Sequence, residues 1–417
     1  MDVELVTIGT ELLLGFTTDT NGAFAGQRLA EIGVRVARRT AVGDQAEAIR
    51  DAVAGALERS GLVIVTGGLG PTRDDITKRT VAELFEAPLE FQQPLWDALV
   101  ERFARFGRVP AESNRCQAEV PRGATVLPNR RGTAPGIWLS GPRGEVVMLP
   151  GVPKEMRGLM VDEVIPRLRA RRAGGSAVGV IVSRTVRTTS IPESSLGERI
   201  APLEPAIAPL TVAYLPGLEG VDLRITAWDL PEADAASRLE AAVALIREEV
   251  ADHGYGTDDV DLARVLIDRL RERGLTLAVA ESCTGGAVGE RITAVPGSSD
   301  VFLGGVIAYA NAIKLAELAV PEATIAEHGA VSEAVSLAMV TGLVAKTGAG
   351  AAVSITGIAG PAGGSSEKPV GTVWFGFHVA GRVDAQRVVF PGSREEVRAR
   401  AAQFALHGVW RRLRPPR

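Results

Sequence analysis

The chain has 417 residues, which is enough for two or three domains that each bury their own core. A hydrophobic content of 46%, a charged content of 23% and a formal net charge of −4 are typical of a soluble globular protein and argue against nonspecific nucleic-acid binding, which needs a strongly basic face. Two distant cysteines argue against a disulfide framework, and four scattered histidines argue against a His-rich metal centre. Because the sequence shows neither a secretory signal nor an uninterrupted apolar span, we expect a cytoplasmic protein.

The N-terminal part alternates apolar strand patterns with helical ones. Strands are predicted at 3–8 and 62–66, with helices before residue 32 and at 45–59, and the unit ends with a strand at 145–149 and a helix that closes near residue 170. This alternation predicts a parallel α/β sheet whose ligands lie at the carboxyl ends of the strands.

A polar, glycine-rich loop at 67–75 follows the second of these strands. It combines glycines, a threonine and two carboxylates, which suits contact with phosphate and a hard divalent cation. The structural alternative is a set of turn glycines and N-cap aspartates for a helix over 76–86.

The middle of the chain has a different pattern of predicted elements. The charged and then glycine-rich stretch 167–175 is typical of a linker. Residues 176–252 predict a small α+β module with strands at 178–187, 210–214 and 221–228 and a long helix at 231–251, and 254–259 is predicted to be a second hinge.

A third α/β unit runs from about residue 260 to a helix over 393–413. Within it, an apolar strand pattern leads directly into Ser282, Cys283 and Thr284, followed by two glycines and a helical pattern. Nucleophilic serines of hydrolases lie in such strand-to-helix turns, where backbone N–H groups favour developing negative charge. Alternatively, Ser282 only caps the helix, or Cys283 is the nucleophile.

Three further polar residues lie near predicted strand ends. Tyr309 ends a strand predicted at 306–309 and Lys314 lies on the helix after it, and Thr356 precedes a glycine-rich loop, 357–364, that allows close approach of a phosphate. Because no histidine is near in sequence, a lysine whose pKa is depressed by burial is the candidate base for Ser282. Taken singly, each residue also has a structural explanation, as a core aromatic, a solvated charge or a strand-edge polar group.

Four segments resemble, in the same order, the nicotinamide mononucleotide (NMN) deamidase domain of the competence/damage-inducible CinA family: Ala280-Glu-Ser-Cys-Thr-Gly-Gly286, Tyr309-Ala-Asn-Ala-Ile-Lys314, Thr356-Gly-Ile-Ala-Gly-Pro361 and Glu367-Lys-Pro-Val-Gly-Thr372. The resemblance implies hydrolysis of NMN to nicotinic acid mononucleotide and ammonia without a cofactor. Ser282 would be the nucleophile, Lys314 the base and Tyr309 and Thr356 further catalytic residues. The expected substrate-binding residues are Cys283, Thr284, Gly285, Gly286, Gly357, Gly360 and one of Arg394 and Arg398, with oxyanion donors in the turn after Ser282.

The N-terminal loops resemble the molybdopterin-binding (MogA/MoeA-like) fold as it occurs in the same family. This resemblance implies hydrolysis of ADP-ribose to AMP and ribose 5-phosphate with a divalent metal (Mg, Mn or Co). Asp74 and Asp75 would hold the metal or activate water, as both catalytic and metal-binding residues. The expected substrate-binding residues here are Gly67, Gly68, Gly70, Thr72, Glu11 and Asn21.

The middle segment resembles a KH module more loosely. Gly217-Leu-Glu-Gly220 fits the GXXG loop of nucleic-acid-binding KH domains, but it lies between two predicted strands and carries an acid, which suits a hairpin turn better. We therefore expect a structural role for this module and no direct nucleic-acid binding.

The whole order predicts an α/β protein with a MogA-like domain at 1–171, a KH-like α+β module at 176–252 and a deamidase domain at 257–417. The predicted function is a bifunctional pyridine-nucleotide hydrolase that binds NMN and ADP-ribose, forms a homodimer and contacts no membrane. The alternatives are a chain with only one live activity, or a binding protein linked to competence, DNA damage or molybdopterin.

Overall fold

The computed structural model describes residues 1–173 and 179–414. The chain divides into two compact units, Met1–Val182 with Ala227–Ser237 and Ser183–Thr226 with Arg238–Arg417, so the elements of the middle module are shared between them. Within the described ranges no helix is long and apolar enough to cross a membrane. The end of the predicted linker and the predicted start of the next strand at 178 lie outside the described residues.

The first unit is built on an α/β sheet with helices on its faces. In chain order its elements are β1 (Asp2–Ile8), α1 (Thr10–Leu13), α2 (Thr20–Glu31), β2 (Arg35–Val42), α3 (Ala46–Ser60), β3 (Leu62–Thr66), α4 (Thr77–Leu84), β4 (Leu89–Phe91), α5 (Gln93–Ala104), a 3-10 helix (Glu112–Ala118), β5 (Glu119–Pro121), β6 (Thr125–Leu127), β7 (Gly136–Gly141), β8 (Gly144–Leu149), α6 (Pro153–Leu159), a π-helical turn (Met160–Val164) and α7 (Ile165–Ala173).

The sheet order is β2-β1-β3-β8-β7-β6. The strands β2, β1, β3 and β8 are parallel, as predicted, and β3 is buried along its whole length because helices cover both faces. The prediction of a parallel sheet is wrong at one edge. There β7 pairs antiparallel with β8, and β6 pairs antiparallel with β7. A tight connection between β7 and β8 leaves room only for a hairpin.

The middle module is a four-stranded sheet in the order β10-β11-β9-β12. Its elements are β9 (Val180–Thr188), α8 (Glu193–Ile200), a 3-10 turn (Ala201–Leu203), α9 (Glu204–Ile207), β10 (Thr211–Pro216), β11 (Val221–Leu230), α10 (Glu232–Glu249) and β12 (Gly254–Thr257). Two predictions are corrected here. The segment predicted as the second hinge forms β12, which pairs antiparallel with β9, and most of the predicted linker 167–175 belongs to α7.

The C-terminal part is a five-stranded mixed sheet in the order β14-β13-β15-β16-β17. Its elements are α11 (Leu262–Arg273), β13 (Leu277–Glu281), α12 (Ala287–Thr293), a 3-10 turn (Ser298–Asp300), β14 (Phe302–Ile307), α13 (Asn311–Leu318), α14 (Glu322–His328), α15 (Glu333–Thr347), β15 (Ala351–Gly357), β16 (Thr372–Val379), β17 (Arg382–Val389) and α16 (Arg394–Arg412).

Strand β13 lies between β14 and β15 and is parallel to both, so the carboxyl ends of all three strands meet at one edge. Ser282 follows β13 directly, and Thr356 is the second-last residue of β15. The strand predicted at 306–309 ends earlier, at Ile307, which places Tyr309 in the loop after β14. The fold therefore gathers the predicted deamidase residues at one edge of the sheet.

The basic residues at the C-terminal end of the described chain form ion pairs. Arg412 forms an ion pair with Asp384 on β17, and Arg414 lies 3.7 Å from the Asp252 carboxylate. The end of α16 is thus held by ion pairs on two sides.

Candidate active sites

The central feature of the C-terminal unit is a buried lysine beside the serine that follows β13. Lys314 is 1% exposed, and its Nζ donates a hydrogen bond to Ser282 Oγ at 3.2 Å and to the carbonyls of Ala308 (2.9 Å) and Tyr309 (3.3 Å). Burial lowers the pKa of Lys314, because a desolvated ammonium is disfavoured. The pair has the arrangement of a nucleophile and its base.

Cys283, the alternative nucleophile, is buried in the hydrophobic core of this unit. Burial raises the pKa of its thiol to about 12. Since the thiolate is the reactive form of cysteine, this environment disfavours Cys283 and favours Ser282.

A cavity of about 190 Å³ opens beside Ser282 and Lys314. Tyr309 is 59% exposed, and its hydroxyl accepts a hydrogen bond from Arg394 at 2.8 Å. The Thr356 hydroxyl donates to the carbonyl of Ala330 at 2.7 Å, so this threonine fixes the wall of the cavity. The lining residues are Ser282, Cys283, Tyr309, Asn311, Lys314, Ala330, Val331, Thr356, Gly357, Ala359 and Arg394.

The sequence left two arginines of α16 as candidates for phosphate contact, and the structure places them differently. Arg394 lines the cavity and also donates to the carbonyl of Gly360 at 2.7 Å, in the glycine-rich loop. Arg398 lies outside the lining and donates to the carbonyl of Thr284 at 2.9 Å. Arg394 is therefore the arginine that a ligand in the cavity can reach.

The glycine amides after Ser282 are already occupied. Gly285 donates to the carbonyl of Ser282 at 3.1 Å, and Gly286 donates to the buried carboxylate of Glu281 at 2.9 Å. The oxyanion donors expected in the turn after Ser282 are therefore not these glycine amides, because a backbone N–H has only one proton to donate.

The N-terminal unit has its own pocket, of about 350 Å³, at the end of β3. Gly67 has φ 107°, and a Cβ there would lie 2.2 Å from the carbonyl oxygen of Ile8, so only glycine allows the ends of β1 and β3 to approach this closely. The pocket is lined by Gly68, Leu69, Gly70, Pro71, Thr72, Arg73, Asp75, Ile76, Lys78, Arg79, Leu89, Ser113, Cys116 and Glu119.

The two predicted metal ligands differ in position. Asp75 lines the pocket, and its Oδ2 accepts hydrogen bonds from the amide (2.8 Å) and the hydroxyl of Thr72. Asp74 is exposed and outside the lining. The other two candidates, Glu11 and Asn21, are also outside it, although Asn21 donates at 2.7 Å to the carbonyl of Gly151, next to Gly67.

The residues of this pocket fit a partly hydrated cation better than one that is bound by protein ligands alone. In the described part of the chain no group of three or more His, Cys, Asp or Glu side chains could hold a metal. The lining carboxylates are Asp75 and Glu119. Such a site suits Mg²⁺, which keeps several waters and binds through one or two carboxylates plus ligand phosphates, rather than a cation held in an all-protein cage.

Comparison with known proteins decides the family. Three family models match: the probable molybdopterin binding domain over residues 4–170, the damage-inducible protein CinA KH domain over 183–256 and the CinA C-terminal domain over 259–413. A CinA-like protein of Gemmatimonas aurantiaca is 53% identical over 97% of this chain and 95% of its own length. The chain belongs to the CinA family.

Other CinA relatives match over nearly the whole chain. A CinA-like protein of Salinibacter ruber is 44% identical over 99% of this chain and 100% of its own length. A putative competence-damage inducible protein of Symbiobacterium thermophilum is 44% identical over 99% of both chains. Among solved structures, a CinA superfamily protein from Klebsiella pneumoniae 700603 is 38% identical and covers 36% of this chain and 95% of its own, with a TM-score of 0.36.

The GXXG segment of the CinA KH module forms a closed turn. Gly217 donates to the carbonyl of Gly220, and a Cβ on Gly220 would lie 2.0 Å from the carbonyl oxygen of Thr188. Glu219 forms ion pairs with Arg187 of the module and Arg291 of α12. The segment is therefore the turn between β10 and β11, as its position between two predicted strands indicated.

Several residues that the sequence did not single out belong to these sites. Asn311 and Ala330 line the cavity beside Ser282, and Glu281 holds the turn next to it. In the N-terminal pocket the missed residues include Lys78, which is 8% exposed and whose Nζ donates to the carbonyl of Cys116. Burial lowers the pKa of Lys78. Its only sequence signal is its position shortly after Asp75.

Proposed function

We propose that the C-terminal part of this CinA-family chain hydrolyses the carboxamide of NMN, giving nicotinic acid mononucleotide and ammonia. The single observation that carries the proposal is the 3.2 Å hydrogen bond between Lys314 Nζ and Ser282 Oγ at the wall of a cavity. In the described residues no carboxylate pairs with Lys314, and burial lowers the pKa of its ammonium, which favours the neutral form that can act as a base.

In the proposed mechanism Ser282 Oγ attacks the carboxamide carbon while neutral Lys314 accepts its proton. Collapse of the tetrahedral intermediate breaks the C–N bond, and the proton passes from Lys314, with help from Tyr309, to the leaving ammonia. Water then attacks the acyl-serine ester and returns the proton to Ser282 through Lys314. One amide and one water give one carboxylic acid and one ammonia.

For the N-terminal pocket we propose hydrolysis of ADP-ribose to AMP and ribose 5-phosphate. The support is a pocket with two carboxylates (Asp75 and Glu119) and three cationic side chains (Arg73, Lys78 and Arg79), which matches a pyrophosphate with a bound divalent cation. Asp75 would hold the cation, which when bound neutralises pyrophosphate charge and polarises the scissile bond. The chain's own cations would bind the phosphate oxygens.

The names of the relatives point to other roles, in competence and damage induction, and the N-terminal family model is described as molybdopterin binding. An N-terminal pocket that binds nucleotides without hydrolysing them would fit a binding protein of this kind. The predicted homodimer stays a prediction.

The first test incubates the purified protein with NMN and with ADP-ribose, each with and without EDTA. We expect ammonia release from NMN to be unaffected by EDTA, because Ser282 and Lys314 need no metal, and we expect EDTA to abolish AMP formation from ADP-ribose. Addition of excess Mg²⁺ or Mn²⁺ is the control and should restore AMP formation. No release of ammonia from NMN by the wild-type protein would contradict the deamidase proposal.

The second test concerns Arg394 as the ligand of the 5′-phosphate. Arg394→Ala is expected to raise KM for NMN by about 10- to 100-fold, the equivalent of a charge-assisted hydrogen bond of about 1.5–3 kcal/mol. On nicotinamide riboside, which lacks the phosphate, the same variant is expected to be as active as the wild type. An equal loss on both substrates would show that Arg394 acts through Tyr309 instead.

A further inference from the structure

We infer that the amides of Cys283 and Thr284 form the oxyanion hole of this site, and that Glu281 and Arg398 are positioning residues that hold the loop 282–286 in the required shape. The inference rests on the proposed role of Ser282 as nucleophile. It assigns the stabilisation of negative charge to groups other than the glycine amides.

Glu281 is a buried carboxylate at the end of β13. It is 1% exposed, its Oε2 accepts hydrogen bonds from the amides of Gly286 (2.9 Å) and Val288 (3.2 Å), and its Oε1 accepts one from Gly289 (2.9 Å). No cation pairs with it in the described part of the chain. A buried charge of this kind is tolerated only when hydrogen bonds compensate it, so the carboxylate and the first turn of α12 are locked together.

Arg398 holds the same loop through a second contact. It reaches from α16, 114 residues away in sequence, and donates to the carbonyl of Thr284 at 2.9 Å. The amide of Ser282 donates to the carbonyl of Ile355 at 2.9 Å and that of Gly285 to the carbonyl of Ser282. Most polar groups of the loop are therefore fixed by partners within the chain.

Two amides of the loop have no such partner. Those of Cys283 and Thr284 donate no hydrogen bond to another described residue, and the Cys283 amide faces only its own thiol, although these residues are only 6% and 0% exposed. The buried hydroxyl of Thr284 also lacks a partner. Unpaired buried N–H groups are rare, and two of them in succession directly after a nucleophile provide donors for an anion. Cys283 lines the cavity, and Thr284 follows it just outside the lining. The group that fits these donors is the oxygen of a tetrahedral intermediate on Ser282.

Glu281 would act on the reaction only through the loop. With glutamine in its place, an NH₂ group would face backbone donors, and at least one hydrogen bond to α12 would be lost. The loop could then relax, and the free amides would move away from the position of the oxyanion. Ground-state binding of NMN does not depend on these amides, so the loss should appear in kcat rather than in KM.

The experiment measures two rates for each variant: kcat for NMN and the rate of covalent labelling of Ser282 by a fluorophosphonate probe. In labelling, a bond forms between Ser282 Oγ and phosphorus, the P–F bond breaks, fluoride leaves and the serine proton passes to Lys314. For Glu281→Gln we expect both rates to fall by about 10- to 100-fold with KM unchanged, a part of the 10²–10³-fold that one lost oxyanion donor costs. Glu290→Gln, an exposed carboxylate on α12, is the matched control and should label at the wild-type rate.

Variants of Arg398 provide a second test in case Glu281→Gln does not fold. Arg398→Ala should slow labelling in the same way, and Arg398→Lys should restore part of the rate. Wild-type labelling rates in a folded Glu281→Gln or Arg398→Ala protein would overturn the inference. If the wild-type protein is labelled at Ser282 but does not act on NMN, the proposed substrate fails while labelling still tests the oxyanion hole.

Discussion

Lys314→Met is expected to lower kcat for NMN by about 10⁴-fold, the upper end of what a positioned general base contributes. The reason is that Nζ is the basic group hydrogen-bonded to Ser282 Oγ and that burial already favours its neutral form. Ammonia release under saturating NMN measures the effect. Lys346→Met, which removes an exposed lysine on α15, is the matched control and should keep the wild-type rate.

Ser282→Ala should cause a loss of similar size, and the double variant should lose little more than either single one, because two residues that act as one unit are strongly non-additive. Multiplicative losses would contradict the assignment of Ser282 and Lys314 as nucleophile and base. Circular dichroism and thermal melting of each variant separate a catalytic loss from unfolding.

The lowered pKa of Lys314 also sets the direction of two pH effects. In the wild type kcat/KM should rise with pH through the pKa of Lys314, since only the neutral amine accepts the proton of Ser282. For stability, the unfolded chain binds more protons than the folded one between this lowered pKa and about 10.4. Burial of Lys314 therefore destabilises the fold most at low pH, and this penalty disappears as pH rises through that window. Unfolding free energies of the wild type and Lys314→Met measured across pH should converge toward high pH.

The sequence predicted the meeting of Ser282 and Lys314 for a physical reason. Both residues follow strands, and in a parallel sheet the carboxyl ends of neighbouring strands lie at one edge. Thr356 follows the same rule at the end of β15. The pair is 32 residues apart in sequence and 3.2 Å apart in the fold.

The roles that the sequence did not reveal are those that come from distant contacts. Arg398 finds Thr284 across 114 residues, and nothing in the pattern of α16 distinguishes it from Arg394. Glu281 accepts from amides of the next helix, which is invisible in a motif. Likewise, β12 consists of Gly-Tyr-Gly-Thr, a turn-like sequence that becomes a strand only through pairing with β9.

In the N-terminal unit, Asp75→Asn is expected to lower the rate of ADP-ribose hydrolysis by about 10³-fold, which corresponds to the several kcal/mol that a bound metal supplies in such reactions. The amide keeps an oxygen that can accept from Thr72, so the loop should stay folded while the charge that holds the cation is lost. AMP formation at saturating Mg²⁺ measures the effect, and Asp97→Asn on α5, an exposed carboxylate outside the pocket, is the control.

The same experiment distinguishes the two neighbouring aspartates. Asp74 is exposed and outside the lining, so Asp74→Asn should cost much less than Asp75→Asn. Lys78→Met should raise KM for ADP-ribose, because the Lys78 amine lines the same pocket as Asp75 and can donate hydrogen bonds to phosphate oxygens. A larger loss from Asp74→Asn would move the cation out of this pocket, and unchanged rates in all three variants would leave the unit without the proposed catalytic site.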